Sequence, residues 1–215
     1  SLHQLSCEVG YGGFVWVHLD ANPTPLRDYM GKVFDALAPH LEAEPLEVFH
    51  HHKAIINTNY KLWHETNSEF YHDYMHHFNR VTSMQQRGYH ERYYEAFPGG
   101  HATVSSMEVK YTAYEHDQVH LADERDLSFP LLERNGWKLL DLFPGITLNL
   151  RGSALRIDTA TPLSEGRVLI EFRGLGLKRD SAVERERRIR DTNTIWAPFG
   201  RNFREDLLGV TGQAL

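Results

Sequence analysis

Between Trp137 and Gly174 the chain contains four strand-length runs, Trp137–Phe143, Ile146–Leu150, Ala154–Thr159 and Arg167–Arg173. They are separated at Pro144-Gly145, at Gly152 and by a stretch that ends in Ser164-Glu165-Gly166. Connections this short leave no room for a crossover helix, so successive strands must pair antiparallel through hairpins. In the last run Val168, Ile170 and Phe172 alternate with Leu169, Glu171 and Arg173, the pattern of a sheet with one covered face. The remainder of the chain has to supply that cover.

Two regions can do so. Ser181–Asn193 reads as a strongly charged helix, opened by Asp180 or Ser181, with Glu184 placed for a capping box. Its apolar residues, Val183, Ile189 and Ile195, are sparse, which predicts a helix lying across the sheet with a broad charged face to water. Trp196-Ala-Pro-Phe-Gly200 interrupts it, and Arg201–Leu208 restarts as a second helical piece. Upstream, Gly13–Leu19 reads as a short buried strand, Asp20–Pro25 as a break, and Leu26–Leu41 as one or two short helices. Leu46–Ile56 is a further strand carrying His50-His51-His52; neighbouring strand residues point to opposite faces, so these three imidazoles cannot converge on one ion. Tyr89–Phe97 is aromatic-rich and ends at Pro98-Gly99-Gly100, Ala102–Tyr114 has strand character, and Glu115–Asp126 reads as a surface loop or short helix. The order predicts an α+β fold, with helices held to one side of an antiparallel sheet, in a single domain over residues 1–215.

The chemistry concentrates in Asn59–Arg80, NYKLWHETNSEFYHDYMHHFNR. Glu65, Glu69, His72, Asp73, His76 and His77 are interleaved there with aromatic residues. On a helix Glu69, His72 and His76 share a face, with His77 about 100° further round. Two imidazoles with one carboxylate suit a non-haem Fe(II) site with open positions, and also Zn(II) with a bound water. From this segment alone the carboxylate is Glu69, Asp73 or a remote residue. The HExxH signature of zinc peptidases is absent.

Composition excludes several classes. The net charge of −6 argues against sequence-independent nucleic-acid binding, which needs clustered cations to displace phosphate counterions. No apolar run approaches the roughly 20 residues of a membrane-spanning helix, and Ser1–Asp20 lacks the charged and apolar regions of a signal peptide. Cytoplasmic residence is the expectation. Cys7 is the single cysteine, so neither an internal disulfide nor a cysteine-rich metal cluster can form.

The segment from Asn59 to His77 resembles that of Rieske-type ring-hydroxylating oxygenase α subunits, in which Asn-Trp-Lys-Leu leads to Tyr-His and a second His. Asn59, Lys61, Leu62, Glu65, Tyr71 and His72 match, with Tyr60 in the Trp position. Phe143-Pro144 and the stretch from Trp196 to the paired acids Glu205-Asp206 extend the resemblance over nearly the whole chain. It implies a helix-grip, START-like catalytic domain with Fe(II) held by His72, Asp206 and a second histidine. The family's usual five-residue spacing favours His77; the four-residue spacing also found in the family indicates His76 as the alternative. Glu69 takes the position of the acid that bridges the first ligand to the Rieske cluster of a neighbouring subunit. Met75, Trp196, Asn202 and Phe203 flank the ligands and are candidates for the substrate pocket.

A Rieske [2Fe–2S] cluster needs two Cys and two His, which this chain cannot supply, so the resemblance implies the catalytic half alone, with an N-terminal Rieske domain expected upstream of Ser1. Implied partners are a small-molecule substrate, dioxygen, the neighbour's Rieske domain, a ferredoxin or reductase, and like subunits in a trimer, with or without a small β subunit. The implied reaction is mono- or cis-dihydroxylation of an aromatic compound or aromatic acid. The chain is also similar to the methanesulfonate monooxygenase hydroxylase branch, whose substrate is a small alkanesulfonate; Arg173 and Arg201 are the candidate cations for such a group. A metal-free helix-grip ligand-binding module is the alternative of another class.

Overall fold

A computed structural model describes residues 3–69, 72, 75–77, 93–108, 129–133 and 136–213. A two-stranded hairpin, β1 (Ser6–Gly10) and β2 (Phe14–His18), comes first. Two short helices, α1 (Leu26–Met30) and α2 (Ala38–Glu42), flank a 3-10 turn at Val33–Ala36. β3 (Leu46–Ile56) leads into α3 (Tyr60–Glu69). The sheet is completed by β4 (Tyr94–Phe97), β5 (His101–Glu108), β6 (Gly136–Leu142), β7 (Ile146–Arg151), β8 (Ala154–Ser164) and β9 (Arg167–Leu177). The chain closes with α4 (Ala182–Ile195) and α5 (Arg201–Gly212).

The seven strands form one antiparallel sheet in the order β3-β9-β8-β7-β6-β5-β4, the meander expected from the hairpin spacing. Two expectations change. The run Gly13–Leu19 is not a buried strand: it belongs to the separate hairpin, and Val15 and Val17 are exposed. Of the helix foreseen across Asn59–Arg80, α3 accounts for the part to Glu69; among the described residues beyond it His72 and Met75 are 3-10 and His77 is α-helical. Asp73, Tyr74, most of the aromatic run from Tyr89, and the stretch Val109–Asp126 lie outside them.

Both faces of the sheet are covered, by different means. One face is apolar: Leu140, Leu142, Leu148, Leu150, Leu155, Leu175 and Leu177 pack against Met30, Val33, Phe34, Leu37 and Leu41. On the other, Ile56, Val168, Ile170 and Phe172 pack on Trp63 of α3 and on Phe203 and Val210 of α5. Burying such side chains contributes about 1.5–3 kcal/mol each. The middle of this second face is polar. In register across β8 and β7 lie Arg156 opposite Asn149 and Asp158 opposite Thr147, all buried.

A bulge in β3 decides which histidines face which way. Val48 pairs with Leu175 but His50 with Gly174, leaving Phe49 as the extra residue. Beyond it His50 and His52 share the helix-covered face, where His52 stacks on Phe172 (4.6 Å, 13° between planes). His51 turns to the opposite face, 3.5 Å from Glu171.

α4 begins with the foreseen capping box: Ser181 Oγ accepts from Glu184 N–H, and Glu184 accepts from Ser181 N–H. Its inward side is charged rather than apolar. Arg188, 1% exposed, donates to both oxygens of Asp180 and to the Ser153 carbonyl, and Asp191 accepts from Arg151 and Ser153. Such close crossing requires glycine beneath. A Cβ at Gly176 would lie 2.7 Å from Arg188 Cδ and from Asp180 Oδ2.

Gly176→Ala should therefore cost about 1–3 kcal/mol, read as a lower denaturation midpoint at unchanged slope. A second outcome concerns acid. Burial first, then the neighbouring cations, holds His52 down from its ordinary 6.5 to about 4. The unfolded chain takes up this proton before the folded one does, so the contribution is complete above pH 6.5 and is lost as pH falls toward 4. The melting temperature of His52→Phe should fall less over that interval than that of the wild type.

Candidate metal centre

Two segments meet at the end of α3. The first follows Glu69, whose Oε2 accepts from the backbone N–H of His72 at 3.2 Å and fixes the chain as it leaves the helix. The second is α5. α4 stops at Ile195 because Pro198 has no N–H to continue it and disfavours helical geometry in the residue before it. Gly200 then begins α5 directly against the end of α4, where a Cβ would lie 2.5 Å from the backbone carbon and oxygen of Ile195. This reversal directs Asp206 of α5 at the histidines.

His72, His76 and Asp206 each offer one ligand atom, and these atoms lie within 4.8 Å of one another. His72 is partly buried, and His76 and Asp206 are buried. Asp206 Oδ1 stands 3.1 Å from His76 Nε2 and 3.5 Å from His72 Nε2. Despite these distances it makes no hydrogen bond among the described residues. A buried carboxylate oxygen left in this way carries a desolvation cost that a cation between the three atoms would offset. The donor set, two imidazole nitrogens and one carboxylate, matches such an ion.

The far side of each imidazole is held by its own carboxylate. His72 Nδ1 meets Glu69 Oε1 in a short hydrogen bond, and His76 Nδ1 meets Glu205 Oε2 at 2.8 Å. Each contact places the ring proton on Nδ1 and leaves the Nε2 lone pair facing the common point, while raising ligand basicity. The rings themselves lie 5.4 Å apart at 71°. Glu205 was visible in the sequence only as the first of two acids; its partner could not be read, because His76 is 129 residues away.

The remaining site expectations separate. His77 is exposed and outside the convergent group, whereas His76 is inside it. The four-residue spacing is thus the one that brings ligand atoms together. Met75, with Glu65, Glu69, His72, His76, Glu205 and Asp206, lines a cavity of about 720 Å³ between α3 and α5. Trp196 and Asn202 do not line that cavity; each has a buried polar atom without a partner, Trp196 Nε1 and Asn202 Oδ1. Phe203 is a core residue, 1% exposed, packed on Phe172 and Trp63. Arg173, one of the candidate cations, donates to Thr159 and pairs with Glu171.

The sequence profile of the ring-hydroxylating α subunit (catalytic domain) family matches residues 42–208. The chain belongs to this family. It is 56% identical over 212 residues to the methanesulfonate monooxygenase hydroxylase subunit α of Methylosulfonomonas methylovora, covering 99% of the chain and 50% of the relative. It is 40% identical over 203 residues to the 2-aminobenzenesulfonate 2,3-dioxygenase subunit α of an Alcaligenes species, covering 94% and 50%. The chain thus spans about half the length of the curated relatives it matches. Among solved structures, naphthalene 1,2-dioxygenase from a Rhodococcus species aligns with a TM-score of 0.71 at 15% identity, over 97% of this chain and 53% of the other. A quaternary ammonium Rieske monooxygenase aligns at 0.68 and 14%, over 98% and 51%. At such identities the likeness is one of fold, and it agrees with the sheet-and-helix arrangement above.

Within a ring-hydroxylating α subunit of this geometry, His76→Ala should abolish stoichiometric Fe(II) binding while His77→Ala retains it. Glu205→Gln should weaken binding about 10–100-fold by loosening the His76 ring. Metal analysis after Fe(II) loading and desalting checks all three; iron lost from the His77 variant but kept by the His76 variant would reverse the assignment.

Proposed function

We propose that this chain is the non-haem Fe(II) catalytic domain of an oxygenase that hydroxylates an organic sulfonate. The observation carrying this reading is the convergence of His72 Nε2, His76 Nε2 and Asp206 Oδ1 in a member of the ring-hydroxylating α-subunit family. The two neutral imidazoles and one carboxylate would hold Fe(II) with net charge to spare and positions open on one side. Iron bound there supplies the activation of dioxygen. The overall balance is substrate C–H plus O2, two electrons and two protons, giving C–OH and water, or both oxygens added to an arene as a cis-diol.

The protein's own residues orient, bind and exclude water. Glu69 and Glu205 fix the imidazole rings from behind. Trp63, Phe172 and Phe203 pack together in the core under α3 and α5, their ring centroids 5.0–6.0 Å apart, and fix the two helices that carry the site. Glu69 also lines the cavity between α3 and α5, so its carboxylate is placed to couple His72 to an electron donor docking at that mouth. In this reading residues 1–215 are one catalytic domain. The [2Fe–2S] Rieske cluster belongs to another domain, supplied by a neighbouring subunit in a trimer and reduced through a ferredoxin or reductase.

For the substrate, both curated relatives are named for sulfonates, one a one-carbon alkanesulfonate and one an arenesulfonate. The higher identity to the first favours a small alkanesulfonate over an aromatic compound without that group. The intact oxygenase, given reductant and methanesulfonate, should consume dioxygen in step with loss of the sulfonate and do neither under nitrogen. Anaerobic turnover would replace oxygenation with hydrolysis.

A further inference from the structure

Outside the ligand group, the strongest concentration of unmatched chemistry lies on the polar middle of the helix-covered sheet face. Arg156 is 5% exposed and Asp158 is 2% exposed. Their pairing is incomplete on both sides. Arg156 Nη2 lies 2.7 Å from Asp158 Oδ2 and donates to Asn67 Oδ1 at 3.3 Å, while Nε and Nη1 have no partner. Neither Asp158 oxygen has a hydrogen bond of good geometry. A buried ion pair kept only for stability is expected to satisfy its remaining donors and acceptors, because each one left costs about 1–3 kcal/mol.

The guanidinium is held flat by the Trp196 ring, 3.5 Å from its centroid, and Trp196 Nε1–H is itself buried and unpartnered. Asn149 sits directly opposite Arg156 on β7, with its side-chain oxygen unpartnered. Asn202 precedes Asp206 by four residues on α5, so the two share a helix face. Burial disfavours the charged form of both Arg156 and Asp158, and the Asp206 carboxylate adds to this for Asp158 while favouring the cation of Arg156.

We propose that Arg156, which lies on the sheet side of the ligand group and outside the lining of the cavity between α3 and α5, is the anion anchor for the substrate, its free N–H groups taking the oxygens of an organic sulfonate and holding the carbon skeleton beside His72, His76 and Asp206. The proposal rests on the sulfonate-oxygenase reading and adds the residue that enforces it. A sulfonate offers three acceptor oxygens and a permanent negative charge, which suits a surplus of buried cationic donors. Trp196 Nε1–H adds a further free donor. Asp158 competes for the same guanidinium and so sets the affinity. Arg173 and Arg201 are not needed for this role.

The test is calorimetric titration of the intact iron-loaded oxygenase, kept anaerobic, with methanesulfonate and with its neutral analogue dimethyl sulfone. Wild-type protein should bind the first and not the second. Arg156→Gln should lower methanesulfonate affinity at least about 10-fold with iron content unchanged, and Asp158→Asn should raise it. Should Arg156→Gln fail to fold, Asp158→Asn and Trp196→Phe decide: affinity raised in the first and lowered in the second supports the anchor, and both at the wild-type value overturn it. A folded, iron-loaded Arg156→Gln variant with wild-type affinity overturns the anchor and leaves the substrate reading intact. Wild-type protein that binds iron but no sulfonate overturns both.

Discussion

The structure depends on covering a sheet whose second face carries charge through its centre. Arg156, Asp158, Asn149 and Thr147 cannot be buried against leucine without large desolvation costs, so the elements above them must be polar where they meet them. The same face continues at Arg151, and α4 meets this end of the sheet with Arg188, Asp191 and Thr192 rather than an apolar stripe. The apolar packing of α3 and α5 is pushed toward the Val168–Phe172 end of the sheet. The group of His72, His76 and Asp206 gathers where the chain after α3 meets α5, with the carboxylates of Glu69 and Glu205 behind the imidazoles.

Much of the fold is legible in the sequence because the meander is local. Turn residues every few positions specify both the pairing and its sense, and the capping box of α4 is written in Ser181 and Glu184. The run Gly13–Leu19 is a strand, as its composition suggests, but its burial is one-sided, with Phe14 and Trp16 against the core and Val15 and Val17 exposed, which an unbroken apolar run does not reveal. The local backbone around the ligands is equally hidden: the 3.6-residue spacing of His72 and His76 reads as regular helix, whereas among the described residues His72 and Met75 are 3-10.

The site was legible where chemistry is unusual and illegible where it imitates surface. Imidazoles beside carboxylates mark His72 and His76, and the paired acids mark Asp206. Arg156 and Asp158 alternate with Leu155 and Ile157, which is how a solvated strand face reads. Only the placement of α3 and the C-terminal helices turns that face inward. Glu205 belongs to the same class, since its meaning comes entirely from a contact across 129 residues.

The bulge at Phe49 carries a consequence for how β3 can change over time. Upstream of it, even-numbered positions point to the leucine-packed face; downstream, they point to the helices. One residue therefore acts as a phase switch for everything between it and Ile56. Pairing Phe49 into the ladder would exchange the environments of His51 and His52, placing the glutamate-paired imidazole in the aromatic stack and the stacked one outside. Removing Phe49 would leave every downstream partner unchanged, because Val48 and His50 already face consecutive residues of β9. The bulge is thus the slack of the strand: β3 can lose a residue there and nowhere else between Val48 and Ile56 without turning its histidines over.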